Sequence, residues 1–318
     1  MQPTIESIAE WTWAYRASRI LQVACDLELF THLSKGPMTT GELASASSAK
    51  LDLLEKVLIA CTAMGLLIKS GDRYRNSPLS ITYLVKDNTL YQGDIINHSA
   101  GVWNFWNELP NSIRMVPAAK SADSHHNFIL GMHNLTLAGR GQLFLDCIDL
   151  SGRKRLFDVG GGPGTYSILA CRKYPDLRAI VFDLPETIVI AREVLAREGM
   201  TDRIAVREGS WETHDFGQGN DVVLMSNILH GPFSQAKMKL RKAMDSLDPG
   251  GLLVVQEFLL NEDKTGPLLP ALFNVMVGAY SQPELFELMI SAGFVQPRLA
   301  GANDNLGSAW ITATKPKP

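Results

Sequence analysis

Asp158-Val-Gly-Gly-Gly-Pro-Gly164 closes the apolar run Arg155-Leu-Phe-Asp-Val and sets glycine at 160, 162 and 164, with an acid two positions before the first. A turn that cradles a nucleotide needs glycine where φ is positive and where backbone must approach a ligand with no Cβ in the way. The dinucleotide fingerprint G-x-G-x-x-G asks for a third glycine three residues after the second. Thr165 stands at that position, so a nicotinamide or flavin dinucleotide does not fit the spacing. The chain has no G-x-x-x-x-G-K-[ST], which argues against a nucleoside triphosphate. A glycine cluster can also be a tight turn and nothing more, so the flanking residues must separate the two readings.

On the C-terminal side, short apolar runs alternate with helical patterns. The spacing predicts strands at Arg155–Val159, Ala179–Asp183, Ile204–Arg207, Asp221–Ser226 and Leu252–Phe258, and a final pair near Val295–Leu299 and Ala309–Thr312. It predicts helices at 164–174, 186–198, 234–247 and 283–291. Such alternation implies an α/β, Rossmann-like, doubly wound sheet with parallel strands. In these sheets the ligand lies beyond the carboxyl ends of the strands, near the switch in strand order.

Three ionisable side chains fall at those carboxyl ends. Asp183, 19 positions after Gly164, can accept two hydrogen bonds from a ribose diol, and it can equally cap the helix that opens at Pro185. The glycine turn contains no Lys or Arg, which suits a ligand without phosphates. His230 follows the strand Val222–Met225, and an imidazole with a pKa near ~6.5 is matched to proton abstraction at neutral pH. A histidine at a strand end can also be purely structural. Glu257 closes the neighbouring strand and is expected beside His230, accepting its second ring N–H and fixing its tautomer. The alternative for Glu257 is a surface glutamate.

On the N-terminal side, residues 5–33 carry apolar positions at helical spacing. Thr39 and Glu42 form a capping-box pair, Lys50–Met64 is a helix ended by Gly65, and Leu66–Lys69 with Arg73–Arg75 reads as a hairpin. Two helices followed by a two-stranded wing make a winged helix. Its second helix offers Lys50 and Lys56 against Asp52 and Glu55, a poor surface for reading bases, so it is expected to pack on protein and not on DNA. Residues 91–150 are helical in pattern and rich in aromatics, including Trp103, Trp106 and Phe128. The expected division is 1–90 winged helix, 91–150 helical linker, and 151–318 cofactor-binding sheet domain.

Together these stretches resemble the S-adenosylmethionine-dependent O-methyltransferases of the caffeate, hydroxyindole and polyketide-tailoring group. The resemblance runs over nearly the whole chain. It is carried by the winged-helix segment, Asp158–Gly164, Phe182-Asp183-Leu184-Pro185, Asn227-Ile228-Leu229-His230, Leu247-Asp248-Pro249-Gly250-Gly251, Gln256-Glu257 and Ser291-Ala292-Gly293-Phe294. It implies S-adenosylmethionine as cofactor, with S-adenosylhomocysteine as product, held by Asp158, Gly160, Gly162, Asp183, Leu184 and Ser226. It puts the adenine at Ser210-Trp211, where the family usually has an acid. It implies His230 as base and Glu257 as its orienter. It implies a homodimer built through the winged-helix domain, and an acceptor pocket drawing on Phe128, Met132, Asn274 and Met276. Trp103 and Trp106 suit that pocket, the core or the dimer interface equally.

Two departures stand out. Gly231-Pro232-Phe233 follows the histidine where the family usually has Asp-Trp, and Ala279 stands where a second flanking Glu is usual. They leave open N- or C-methylation on the same scaffold, a homologue that binds the cofactor without transferring methyl, and, in another class, a ligand-sensing winged-helix regulator.

The bulk composition is consistent with this. With 318 residues the chain should form about two domains. A net charge of -3 argues against binding nucleic acid through phosphates. Four scattered cysteines with no C-x-x-C pair suggest a reduced, cytoplasmic setting and no structural zinc. No apolar run is long enough for a membrane span, and no metal site is expected from the scattered histidines. The expected partner is a small, flat aromatic or polyketide-like acceptor.

Overall fold

Alternation of side chains along the strands of the C-terminal half sends successive residues to opposite faces of one sheet. On the strand that leads into the glycine turn, Leu156 joins one buried cluster and Phe157 the other. The computed structural model describes residues 4–101, 103–115, 124–231 and 234–318. Pro232 and Phe233, which carry part of the first departure, lie outside them.

In chain order the elements are α1 (Ile5–Asp26), α2 (Leu29–His32), β1 (Met38–Thr39), α3 (Thr40–Ser47), α4 (Leu51–Ala63), β2 (Leu67–Ser70), β3 (Arg73–Asn76), α5 (Pro78–Tyr83), α6 (Gly93–Gly101) and α7 (Trp103–Ser112). There follow α8 (Ser124–Leu135), α9 (Gly141–Cys147), β4 (Arg155–Val159), α10 (Thr165–Lys173), β5 (Arg178–Asp183), α11 (Pro185–Arg197), β6 (Ile204–Glu208) and β7 (Asn220–Ser226). The chain ends with α12 (Ala236–Ser246), β8 (Leu247–Glu257), β9 (Leu259–Leu260), α13 (Leu268–Val277), β10 (Tyr280–Ser281), α14 (Gln282–Ser291), β11 (Val295–Asn303) and β12 (Ser308–Thr314).

The chain divides into two units, one of Met1–Ala122 with Leu260–Met276, the other of Asp123–Leu259 with Val277–Pro318. This departs from the expected boundaries at 90 and 150. Part of the helical linker belongs with the sheet, because Ile129 of α8 and Phe144 of α9 are buried in its core. The segment carrying α13 belongs with the N-terminal unit, where Phe273 meets Trp13 edge to face at 5.2 Å.

The first unit contains the winged helix as expected. The Thr39 hydroxyl accepts from the Glu42 N–H at 3.2 Å, and the Glu42 carboxylate accepts from the Thr39 N–H at 2.7 Å, so the capping box is closed at both ends. Strand β3 pairs antiparallel with both β1 and β2. Phe30, Leu58 and Tyr74 are buried beneath the wing, and the Asn76 side-chain amide donates to the Phe30 carbonyl at 2.8 Å.

The second unit is a seven-stranded sheet ordered β11-β12-β8-β7-β4-β5-β6. Strands β6, β5, β4, β7 and β8 are mutually parallel, while β12 and β11 run antiparallel at one edge, so the sheet is mixed rather than wholly parallel. Helices α8 to α11 cover one face and α12 with α14 the other. Strand β8 begins at Leu247, earlier than predicted, through a register shift beside β7 that absorbs Asp248-Pro-Gly-Gly251. Strand order reverses between β4 and β7, which opens a crevice over their carboxyl ends. No helix among the described residues is long and apolar enough to cross a membrane.

Candidate active site

The turn after β4 forms one wall of that crevice. Gly160, Gly162 and Gly164 adopt φ of +64, +55 and +76°, the left-handed region where side chains are strained. The Gly160 N–H donates to the Phe182 carbonyl at 2.8 Å, tying the turn to β5. A Cβ on Gly161 would come within 2.7 Å of the Asp158 carboxyl carbon, so the close approach of backbone to acid requires a glycine there.

Asp158 faces the α10 side of the sheet, on the same side as Leu156, where an apolar residue would ordinarily sit. One oxygen accepts from the Ser167 hydroxyl at 2.7 Å, while Oδ1 is shielded from solvent and unpartnered. Burial pushes its carboxyl up to about 7, against the lowering effect of the Ser167 hydrogen bond. Asp183, at the end of β5, accepts from the Gly162 N–H and the Leu184 N–H, each at 2.8 Å. Burial raises its pKa as well, opposed by those two amides. Asp183 is not the cap of the following helix, whose N-cap is Leu184 with no side-chain cap bond; its carboxylate instead pins the glycine turn and keeps lone pairs that can face the cavity.

A cavity of about 330 Å³ lies over these residues. Asp158, Gly160, Gly162, Asp183, Leu184, Trp211 and Ser226 all line it, as do Phe128, Met132 and His230. Ser210 is not among the lining residues. Its hydroxyl accepts from the Glu212 N–H at 3.2 Å and so closes its own turn, leaving Trp211 as the wall. Ser226 gives its hydroxyl to Gln256 Oε1 at 2.6 Å, opposite it in the β7–β8 register. Trp103, Asn274 and Met276 belong to the first unit: Trp103 packs by Tyr15 and Arg19, Asn274 is buried and Met276 exposed.

His230 sits on the loop after β7. Its Nδ1 lies 3.5 Å from Glu257 Oε2, an ion-pair distance beyond good hydrogen-bond geometry, and neither atom has another partner. Glu257 is 1% exposed, and its other oxygen accepts from the Leu229 N–H at 2.6 Å. The neighbouring carbonyl, of Ile228, accepts from Lys239 Nζ at 2.6 Å. Lys239 lies 4.0 Å over the Trp211 ring. Burial pulls the Lys239 ammonium down to about 8, partly offset by Glu257. One buried acid and one buried cation thus hold the two ends of the single Ile228–Leu229 peptide group in the loop that presents His230.

Gly231 accounts for the first departure from the family pattern. Its φ is +72°, and a Cβ there would lie 2.8 Å from the Val277 carbonyl and 2.9 Å from Gly278 Cα. The segment before Ala279 packs onto position 231 and leaves no room for an aspartate. The Tyr280 hydroxyl donates to the Gly231 carbonyl at 2.8 Å and closes this contact.

Sequence reasoning passed over Arg140 and Asn227, which line the cavity, and His133, which stands behind the glycine turn. Arg140 is buried, with Nε and Nη2 donating to the Leu306 carbonyl at 3.1 and 2.9 Å. Desolvation lowers its pKa, and no carboxylate lies within ion-pair distance of it among the described residues. Only Gly139, at φ +135° in the kink before α9, marked the spot in the sequence. Asn227 sits at φ +54° with its Oδ1 buried and unpartnered. His133 holds Thr165, at the mouth of the glycine turn, through Nδ1 at 2.8 Å, and its Nε2 faces Arg197 at 3.2 Å. Since guanidinium only donates, Nε2 accepts and Nδ1–H is the donor to Thr165.

These groups fit an S-adenosylmethionine. Two orphaned acceptors, Asp158 Oδ1 and Asn227 Oδ1, match an ammonium, and an unpaired guanidinium matches a carboxylate. Asp183 has lone pairs for a ribose diol, and Trp211 with Leu184 offers apolar surface to an adenine.

Comparison with known proteins gives the same picture. An O-methyltransferase domain model matches residues 113–295, and an O-methyltransferase dimerisation domain model matches residues 10–86. A 3-hydroxy-5-methyl-1-naphthoate 3-O-methyltransferase from Streptomyces sahachiroi is 32% identical over 83% of this chain and 81% of its own length. The N,N-dimethyltransferase OxyT from Streptomyces rimosus is 27% identical over 98% of this chain and 96% of its own. Among solved structures, an O-methyltransferase family 2 protein from Planctomyces limnophilus, in complex with apigenin, superimposes with a TM-score of 0.79 at 26% identity, covering 99% of this chain and 97% of that one.

Proposed function

This chain belongs to the S-adenosylmethionine-dependent O-methyltransferase family, and on that premise we propose that it methylates a hydroxyl of a small, flat aromatic or polyketide-like metabolite, with His230 as base. The cofactor, when bound, supplies a methyl group on a sulfonium that leaves as a neutral thioether. The work left to the protein is to hold the two reactants in line, exclude water and take one proton.

Asp158 and Asn227 hold the ammonium end, Arg140 the carboxylate end, and Asp183 the ribose. Glu257 draws the His230 Nδ1 proton toward itself, which leaves Nε2 bare to receive the acceptor's hydroxyl proton as the oxygen attacks. The single observation that carries this reading is the His230–Glu257 pair at 3.5 Å on the rim of the glycine-lined cavity. A single carboxylate beside the base suits an acceptor whose hydroxyl is itself fairly acidic, such as a phenol.

The test is a screen of phenols, flavonoids and quinols with isotopically labelled S-adenosylmethionine, repeated with His230→Ala. Transfer to oxygen that falls about 10²–10⁴-fold in the variant, with cofactor affinity unchanged by calorimetry, supports the base role. Label found on nitrogen or carbon, at a rate indifferent to His230, would support a second reading. Ala279 favours that reading, since it removes a carboxylate usual in the family, and so does the likeness to an N,N-dimethyltransferase. The reading includes a homodimer, supported by the match of residues 10–86 to a dimerisation domain, and a cytoplasmic setting, supported by four free cysteines.

A further inference from the structure

A row of three side chains runs from the surface of the second unit to the glycine turn, and the chemistry above does not use it. Arg197, the last residue of α11, is exposed. Its Nε lies 3.5 Å from Glu198 Oε1, while its Nη2 faces His133 Nε2 at 3.2 Å. His133, on α8, is buried, and its Nδ1 meets Thr165 Oγ1 at 2.8 Å. Thr165 is 4% exposed, opens α10 and lines the cavity, which neither His133 nor Arg197 does.

The direction of both hydrogen bonds is fixed from the outer end. A guanidinium can only donate, so neutral His133 accepts at Nε2 and carries its proton on Nδ1. Burial, and after it the Arg197 charge, lower the His133 pKa, which keeps the ring neutral at pH 7. Nδ1–H then fills a lone pair of Thr165 Oγ1. The hydroxyl keeps its own proton, and no acceptor among the described residues takes it. An unconstrained hydroxyl rotates to suit any neighbour. This one receives a donor from behind and has its proton left for whatever occupies the cavity.

The surroundings decide which ligand group takes that proton. Gly164 brings no side-chain cap to α10, so the positive end of the helix dipole is open beside the hydroxyl. Arg140 stands near enough to Tyr166, the next residue of α10, to favour its ionised form. Its guanidinium lines the same cavity with no carboxylate partner among the described residues. Hydroxyl, helix end and guanidinium all favour an anion, and the one anionic group of S-adenosylmethionine is its carboxylate.

We infer that Thr165 donates its hydroxyl proton to the cofactor carboxylate, and that His133, held in one tautomer by Arg197, is the positioning residue that aims it. This rests on the cofactor assignment and deepens it, whatever the methyl acceptor is.

The test titrates the full chain in a calorimeter with S-adenosylmethionine and with its decarboxylated form, which keeps the sulfonium and the ammonium and lacks only the carboxylate. The wild type should prefer the first. Thr165→Val should shrink the ratio of the two affinities about 10–100-fold, the range for a hydrogen bond to a charged group. His133→Phe should shrink it in the same direction, and the double variant should lose no more than Thr165→Val alone. His133→Asn, whose amide nitrogen can replace the Nδ1–H donor, should recover most of the ratio. Arg197→Met lies outside the cavity and frees His133 to carry its proton on Nε2, so it should lower the ratio in part.

Equal weakening of both ligands in Thr165→Val or His133→Phe overturns the inference, since it marks a structural role. So does a ratio indifferent to Thr165→Val, and so does His133→Asn behaving as His133→Phe does. The cofactor assignment fails separately. Binding of both ligands without preference leaves that assignment standing and removes the carboxylate contact, whereas a wild type that binds neither removes both.

Discussion

Asp158 couples a buried, partly unpartnered carboxyl to the proposed cofactor site. It occupies an inward strand position, and burial pushes its carboxyl up to about 7. The unfolded chain ionises this group near ~3.9, so its neutral form supports the fold only at low pH. That contribution is complete below about 4 and is lost as pH climbs through 7, because the unfolded chain then binds fewer protons than the native one. Asp158→Asn should accordingly raise the melting temperature of the cofactor-free protein at pH 8 and leave it nearly unchanged at pH 4, as calorimetric scans would register. A cofactor ammonium beside Oδ1 reverses the preference toward the carboxylate. Affinity for S-adenosylmethionine should then tighten from pH 6 to pH 8 with release of a proton, seen by titration in two buffers of different ionisation enthalpy. A flat profile in the wild type would remove Asp158 from contact with the cation. Arg140 makes the complementary case: Arg140→Met should weaken cofactor binding about 10–100-fold while leaving the melting temperature unchanged or higher, since an unpaired buried cation gives way to apolar packing.

The loop between β7 and α12 carries His230, the proposed base, and its shape comes from anchors far apart in sequence. Lys239 holds the Ile228 carbonyl and Glu257 the Leu229 amide. Lys239→Met should lower kcat and cost about 1–3 kcal/mol of stability in urea titrations, the range for a hydrogen bond to a charged group. Restoring the family's acid by Gly231→Asp should not improve turnover. At φ +72°, with the Val277 carbonyl 2.8 Å from where its Cβ would be, it should cost about 1–3 kcal/mol and lower the melting temperature. Elements of both units were legible in the sequence wherever a local rule governs them. The strand–helix alternation, the glycine turn, the Thr39–Glu42 capping box and the meeting of His230 with Glu257 were all readable from spacing. Long-range groups were not readable. Arg140 and Lys239 look like ordinary surface cations in the sequence, and only folding buries them. Ser210 sits beside Trp211 in the sequence, yet its hydroxyl is spent on the local turn.

Across the whole molecule, the chain crosses between its two units more than once, and residues 260–276 carry no local signal of which unit they join. Apolar residues there are helical like their neighbours, and only the meeting of Phe273 with Trp13 reveals which unit they serve. The N-terminal unit also leaves a large apolar surface uncovered. Ile5, Ile8, Trp11 and Tyr15 on α1 are exposed, as are Phe105, Trp106, Leu109 and Ile113 along and just beyond α7. Trp11 and Phe105 each keep 65% of their surface in solvent, far more than a monomer of ordinary composition tolerates in one unit. A stable homodimer needs more than about 1,000 Å² of buried area with an apolar centre, and this surface supplies such a centre. Sedimentation should therefore give twice the mass of one chain. Trp11→Glu combined with Phe105→Glu should yield a monomer that melts several degrees lower, because burial of these rings by the partner would no longer support the N-terminal helices. A double variant that stays dimeric would move the interface to another face of the molecule.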